Sequence, residues 1–457
     1  MEQPFLKFTD LLKNSSGESS RSEKVKKNIF LSFILQFISI GTNFLLVPLT
    51  LHYLDTERYG IWLTLSSIVS WISFLDIGLG NGLRNKFAEA VAKKELHLAR
   101  MYVSSTYALL SVIISAMFIL FLFAQMFLPW TSILNTHFIQ EDELSQLIVI
   151  VVAFFSLQFI TKTIGTIVTA DQRPAMSNLF NVLTNILSLV AVYTLTQFSS
   201  GSLLLLGTII SVMPVIVYVI ANIILFSGQY KLYAPTFSLI DFRAAKELMS
   251  LGVQFFILQF VAVIIFSTDN IIITQLFGPA EVTIYNIAYK YFSLVTIFFG
   301  IITAPFWSAA TDAYAQMDFE WMKRKVKQLM MMWGGIVVLV ILMIAFSPFI
   351  YDVWIGNNIH IPMMLSIFMG IFVLLNTWNS IFTNFVNGVG KIRLSLFTAL
   401  ITGSINIPLS ILFAKYFGLG SAGVILATCV CQLVGVVLRP LQFLKIINKT
   451  DFGIWGK

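Results

Sequence analysis

A chain of 457 residues that is 57% hydrophobic and only 11% charged is no ordinary soluble domain, where charged residues make up about a quarter of the total. The apolar residues come in long runs, which excludes a disordered chain as well. The net charge of +7 therefore has to be read against a membrane, as orientation and contact with anionic lipid, and not as a nucleic-acid signal.

In chain order, PFLKFTDLL comes first and puts Phe5, Phe8 and Leu12 on one helical face. That pattern fits a short interfacial helix and equally a disordered tail, and SSGESSRSE after it reads as a flexible linker. The first apolar run is too long for a signal-peptide core and lacks a small-residue cleavage pattern, so it is expected to remain as a span. Twelve spans are expected, at about 28–52, 60–82, 101–130, 143–169, 175–198, 202–226, 249–276, 282–310, 328–350, 361–387, 394–416 and 420–443. With the N terminus in the cytoplasm, 25 of the 29 lysines and arginines fall in cytoplasmic segments. Arg58 and Lys415 fall outside, and Lys162 and Lys290 fall within spans. This positive-inside bias puts both termini in the cytoplasm.

The pentapeptide FILQF occurs at Phe33–Phe37 and again at Phe256–Phe260, 223 positions apart. The same offset pairs LDTERYGIW (Leu54–Trp62) with FGPAEVTIY (Phe277–Tyr285), and FAEAVA (Phe87–Ala92) with AATDAYA around Asp312. ADQRPAMSN from Ala170 and GVGKIRLS from Gly388 are also alike, each joining a tight turn to a basic residue and then a helix. Spans one to six thus map onto spans seven to twelve in the same orientation, a parallel repeat. The expected fold is an all-α membrane protein with twelve transmembrane helices in two six-helix lobes around a central cavity. The segments are a tail (1–27), a first lobe (28–227), a linker (228–248), a second lobe (249–443) and a second tail (444–457), both tails and the linker being cytoplasmic.

Ionisable groups at membrane depth are costly and usually face a cavity or one another. The candidates are Lys162, Lys290, Asp76 and Asp269, with Arg58 and Arg84 near the ends of span two. Lys162 and Lys290 lie in different lobes, which would put positive charge on both walls of one cavity, suited to an anionic head group. The alternative is that each cation pairs with an acid or reaches an interface; Asp76 and Asp269 serve equally as such partners or as ion-coupling groups. Polar uncharged residues line up too: Asn178, Asn181 and Asn185 on span five, Asn376, Asn379, Thr383 and Asn387 on span ten, and Thr398, Thr402 and Asn406 on span eleven. Asn181, Asn185, Asn379 and Thr402 are the candidate sugar-facing groups, and the same seams fit helix–helix hydrogen bonding equally well. Prolines 48, 214, 305 and 408 lie inside spans as kinks or hinges.

No catalytic set appears, and no cofactor or metal is expected. The histidines sit at span ends or in loops without ligand spacing, and no GxxxxGK[ST] occurs. Cys429 and Cys431 point in different directions on one helix and read as packing residues. The glycines of Gly78-Leu79-Gly80-Asn81-Gly82 fail as a dinucleotide fingerprint, because the third comes one residue early and the preceding run is a membrane span.

The stretch DIGLGNGLRNKFAEAVA, from Asp76 to Ala92, resembles the second-span signature of the polysaccharide-biosynthesis flippases of the multidrug/oligosaccharidyl-lipid/polysaccharide (MOP) exporter superfamily. Asp76, Gly80, Asn81, Arg84 and Asn85 match it. The resemblance implies a V-shaped, non-enzymatic, two-lobe transporter in the bacterial inner membrane. Its substrate would be an oligosaccharide on undecaprenyl diphosphate, such as an O-antigen unit. The expected site is Lys162, Lys290, Arg58 and Arg84 on the head group, with Asp76 and Asp269 as coupling groups or charge partners. Partners would be the lipid-linked oligosaccharide, membrane lipids, and a polysaccharide polymerase with chain-length machinery. The rival readings are a cation-coupled multidrug exporter of the same superfamily and, further off, a membrane-embedded glycan polymerase or ligase.

Overall fold

The computed structural model describes residues 19–71, 79–171, 173–241, 243, 268–357, 359–391 and 393–456. The interfacial stretch at Phe5–Leu12, Asp76, the second FILQF and most of span seven lie outside the described residues.

In hydrocarbon the backbone must satisfy its own hydrogen bonds, and these apolar runs accordingly form helices. The first lobe contains α1 (Ser19–Tyr53), α2 (Thr56–Ser70), α3 (Leu79–Ala92), α4 (Leu96–Ala124) and the short α5 (Trp130–Ile133). It continues with α6 (Glu141–Thr161), α7 (Thr163–Ala170), α8 (Pro174–Phe198) and α9 (Leu203–Ser227). The second lobe contains α10 (268–277), α11 (Pro279–Ala315), α12 (Phe319–Ile355), α13 (Met363–Val389), α14 (Arg393–Ile411) and α15 (Ser421–Ile447). Ten of the described helices, with α6 and α7 taken together, are long and apolar enough to cross a membrane. The chain is a multi-pass membrane protein. Most of α2 and the first turn of α3 fall within span two as expected at 60–82, and span four is α6 and α7, which break at Lys162.

Local chemistry sets the helix ends. Asp55 and Asp318 cap α2 and α12 by accepting from the backbone N–H of Arg58 (2.7 Å) and Trp321 (2.9 Å). Gly390 closes α13 in the left-handed conformation, φ 81°, as an L side chain rarely would. Prolines 48, 214, 305 and 408 lie inside α1, α9, α11 and α14, and a π-helical turn, Leu412–Tyr416, follows the last of them.

Packing repeats between the lobes. In the first, α3 meets α4 and α7, α4 meets α6, α6 meets α9, and α8 meets α9. In the second, α11 meets α12 and α13, α12 meets α13, α13 meets α15, and α14 meets α15. Each pair in one list has its counterpart in the other, as a parallel repeat requires. Leu79, Leu83 and Phe87, one face of α3, are buried, so the glycine-rich stretch is part of a packed helix from Leu79 onward. Cys429 and Cys431 are both buried thiols.

Candidate functional site

The helices define two ends: a terminal end, with the basic connections and the C-terminal turn, and a far end, with the α1–α2 and α10–α11 turns. Among the described residues, the hydrogen bonds joining the two lobes gather in the far half. The Thr64 and Thr274 hydroxyls are 2.6 Å apart, both residues fully buried. Asn270 donates to Ser67 Oγ (2.7 Å), and Thr283 donates to the Thr56 carbonyl (2.7 Å). Asn135 donates to the Thr274 carbonyl, and Gln275 to the carbonyls of Ser132 and Ile133. Trp354 stacks on Phe44 at 3.8 Å between centroids and donates its Nε1 hydrogen to the Phe44 carbonyl. Two facing helices, α2 and α11, thus seal the far end.

Lys290 belongs to this seam. It sits on α11, donates to the Tyr59 hydroxyl of the other lobe at 3.2 Å, and lies 5.9 Å from that ring's centroid. Asp269, at the start of α10, is buried against the same helix, α11. One carboxylate oxygen accepts from Tyr285 at 2.7 Å, and the other, Oδ1, is shut from solvent with no hydrogen-bond partner among the described residues. A buried carboxylate with an empty lone pair is the kind of group that takes a proton or a small cation.

Lys162 occupies a different level. It lies on the exposed side of the α6–α7 break, its ammonium 5.7 Å from the Phe159 ring centroid. Next to it, Asn222 donates to the Thr161 carbonyl (2.7 Å) and accepts from Tyr107 (2.6 Å), tying spans three, four and six together. Counting from the far ends of α6 and α11, Lys162 is ten residues deeper than Lys290, roughly 15 Å at about 1.5 Å per residue. Between these levels the first lobe holds a cavity of about 160 Å³ lined by Trp62, Ser66, Phe155, Gln158 and Ser211.

Arg58 sits at the far end. It pairs with Asp55 (3.3 Å), reaches the Gly201 carbonyl (3.4 Å), and lines a far-end cavity of about 420 Å³ with Glu57 and Phe138. Burial and the neighbouring Asp55 carboxylate raise the Glu57 pKa above the ordinary carboxylate value. Arg84 is exposed on α3 toward the terminal end. The polar seams bond helix to helix in this state. Asn181 accepts from Tyr218 (3.0 Å), and Asn185 donates to Ser39 (2.8 Å). Asn379 donates to the Gln432 carbonyl (3.2 Å), while the Thr402 hydroxyl turns to its own helix at the Thr398 carbonyl.

One cation was hidden by the charge count. Arg439, which counts among the cytoplasmic charges, lies inside α15, eight residues before its end, and donates to Thr383 at 2.6 Å. Its position before a helical proline, in LRPLQ within an apolar run, is the sequence signal for it.

Comparison with known proteins follows the same lines. The family described as polysaccharide biosynthesis protein matches residues 25–309, and MatE matches residues 255–412. An O-antigen export protein of Yersinia pseudotuberculosis is 22% identical over 395 residues, covering 81% of this chain and 86% of the relative. An O-antigen transporter of Salmonella typhi is 22% identical over 377 residues, 79% of this chain and 83% of that protein. Among solved structures, a multidrug resistance MATE family transporter of the MOP superfamily in its inward-facing conformation superposes with TM-score 0.76 at 14% identity, covering 93% of this chain and 99% of that one. An outward-facing conformation of a MATE family transporter gives 0.65 at 15% identity, covering 93% and 97%. The fold is therefore the twelve-helix, two-lobe MOP architecture, and the chain belongs to the polysaccharide biosynthesis protein family.

Proposed function

We propose that this protein is a flippase that moves an oligosaccharide linked to undecaprenyl diphosphate, an O-antigen or related surface-polysaccharide unit, from the cytoplasmic to the outer leaflet of the bacterial inner membrane. The observation that carries the reading is the pairing of a two-lobe carrier fold, sealed at one end, with cations at membrane depth in both lobes. The family match and the names of the O-antigen relatives support the same substrate class.

The distribution of basic residues assigns the terminal end to the cytoplasm and the sealed end to the periplasm. On that assignment the described state is open inward and ready to load. The glycan and diphosphate occupy the cavity, with Lys162 and Arg84 toward the loading side and Lys290 at the seam, and the lipid tail stays in the bilayer. Arg58 meets the head group on release. Asn181, Asn185, Asn379 and Thr402 exchange helix contacts for sugar hydroxyls as the lobes rock. Residues 1–27, 228–248 and 444–457 serve as tails and linker around lobes 28–227 and 249–443.

A diphosphate of about two negative charges gains roughly 4–5 kcal/mol per 100 mV on leaving a negative interior, at about 2.3 kcal/mol per charge. Membrane potential thus favours export, and Asp269, with Asp76, offers a route for ion coupling. A polymerase and its chain-length partner would take the delivered unit.

Reconstituted protein and a fluorescent lipid-linked glycan test this. Flipping should be present in the unsubstituted protein and fall sharply when Lys162 and Lys290 are both alanine. Normal flipping in that variant would sink the role of the two lysines. In a deletion strain, loss of surface glycan with unchanged drug sensitivity is expected; the opposite result would favour a multidrug exporter.

A further inference from the structure

We propose that Arg439 is the second lobe's phosphate-binding cation, in a site between α13 and α15 that takes the phosphate of a prenyl-linked head group. The inference rests on the flippase reading for its ligand, and on the following geometry for the site itself.

The Arg439 guanidinium donates through Nη1 to Thr383 Oγ1 at 2.6 Å, and the Thr383 hydroxyl in turn donates to the Asn379 carbonyl at 2.7 Å. Thr383 therefore holds one edge of the guanidinium in place. The Nε atom is shut from solvent and has no hydrogen-bond partner among the described residues. No carboxylate lies within ion-pair distance of Arg439 among the described residues. Its own helix α15 and the neighbouring α13 and α14 contain no Asp or Glu, and neither does the stretch from Met249 to Ser267. A guanidinium kept charged in an apolar surrounding without a counter-ion is costly. An arginine fork with Nη1 anchored and Nε unmet is the arrangement that receives a phosphate oxygen.

Two further atoms in the same seam match a sugar-bearing ligand. Asn379 Oδ1 and Gln432 Oε1, one to two turns away toward the far end, are buried acceptors without donors among the described residues. They ask for hydroxyl hydrogens, as the Arg439 edge asks for an anionic oxygen. A phosphorylated saccharide supplies both.

The level of the site fits the repeat. Arg439 lies eight residues before the terminal end of α15, and Lys162 lies eight residues before the terminal end of α7. Both belong to the pair formed by spans four and six in one lobe and ten and twelve in the other. Each lobe thus carries a cation at matching depth, about 12 Å from the helix ends. Lys290 does not provide this match, because it is engaged at the far-end seam.

The test uses purified full-length protein in detergent and four probes: farnesyl diphosphate, farnesol, inorganic pyrophosphate and phosphatidylglycerol. Farnesyl diphosphate should raise the melting temperature of the unsubstituted protein, and farnesol should not. Arg439→Met should weaken that binding by about tenfold or more, the scale of a lost charge-assisted hydrogen bond, and Arg439→Lys should restore part of it. Without ligand, Arg439→Met should melt no lower than the parent, because it removes a buried unpaired charge. Unchanged farnesyl diphosphate affinity in Arg439→Met, or a loss of unliganded stability with affinity intact in Arg439→Lys and Thr383→Val, would overturn the site. Equal protection by pyrophosphate or by phosphatidylglycerol would overturn the prenyl-linked ligand. Transport separates this proposal from the reading it rests on. If the unsubstituted protein flips lipid-linked glycan and Arg439→Met flips and binds equally well, the site fails and the flippase stands. If Arg439 binds the diphosphate but no glycan is flipped, the flippase reading fails and the site stands.

Discussion

Gly60 and Pro279 bring the two lobes into backbone contact: a Cβ on Gly60 would sit 1.7 Å from the Pro279 carbonyl oxygen. No other side chain fits there without parting the helices, since non-bonded carbons need about 3.5 Å. The far-end seal therefore depends on a hydrogen in place of a side chain. Gly60→Ala should hold α2 and α11 apart and shift the protein away from the sealed state. Maleimide labelling of a Thr274→Cys reporter reads this directly, with little background because Cys429 and Cys431 are buried. Labelling should be slow in the parent and several-fold faster with Gly60→Ala; equal rates would show that the seam does not depend on this contact.

The Thr64–Thr274 pair tests the same seam by energy. Each hydroxyl is buried against the other at 2.6 Å, and Thr64 also faces the Gly60 carbonyl at 2.9 Å. Thr64→Val leaves the Thr274 hydroxyl without this partner and should destabilise the sealed state by about 1–3 kcal/mol, whereas Thr274→Val alone should cost less, because Thr64 still donates to the Gly60 carbonyl. The double variant should cost less than the sum, because neither hydroxyl is then orphaned. A double-mutant cycle on melting temperature should return a coupling of about 0.6 kcal/mol, up to about 1.7, as for other hydrogen bonds between membrane helices. Strict additivity would mean that the two hydroxyls do not interact.

Lys162 and Lys290 should separate by phenotype, because they occupy different levels. Lys290 holds the lobes together through Tyr59, so Lys290→Met should speed labelling of the far-end reporter, and Tyr59→Phe should do so in part. Lys162 is remote from that seam. Lys162→Met should leave labelling unchanged while lowering glycan flipping several-fold. Equal effects of the two lysine variants on labelling would contradict the assignment of separate roles.

These relationships mark where the sequence stops being informative. Long apolar runs and the repeated FILQF made the lobes legible, because hydrocarbon leaves helices as the one open solution for such segments. Depth was not. α11 and α12 are each 37 residues, longer than the apolar stretches inside them, so a position counted from the apolar edge misjudges how near Lys290 lies to the seal. Arg439 was absorbed into a loop total, since the positive-inside count does not ask whether a cation near a span end points into the protein. The Gly60–Pro279 contact joins residues far apart in the chain, and no local pattern carries it.

The C-terminal segment makes the last prediction. Asp451 receives the Lys391 ammonium, which also lies 5.1 Å from the Tyr314 ring centroid. Gln442 donates to the Lys391 and Trp455 carbonyls (3.0 and 3.2 Å), and Lys445 covers the Trp455 ring. The tail thus ties the terminal ends of α11, α13 and α15 into one unit, which would let the lobe rock as a rigid body. Burial alone would lower the Lys391 pKa, but the hydrogen bonds to Asp451 and Tyr314 raise it above the ordinary lysine value. A group whose folded pKa is raised contributes stability that is fully present below its unfolded pKa and is lost only as pH climbs through the folded one. The Lys391 contribution should therefore stay constant between about pH 6 and 8 and fade only above the ordinary lysine range. Asp451→Asn should lower the melting temperature throughout the neutral range, and deletion from Asp451 onward should lower it further while releasing Gln442 and Lys445. A melting temperature that Asp451→Asn leaves unchanged at neutral pH would show that the tail lies against the lobe without bracing it.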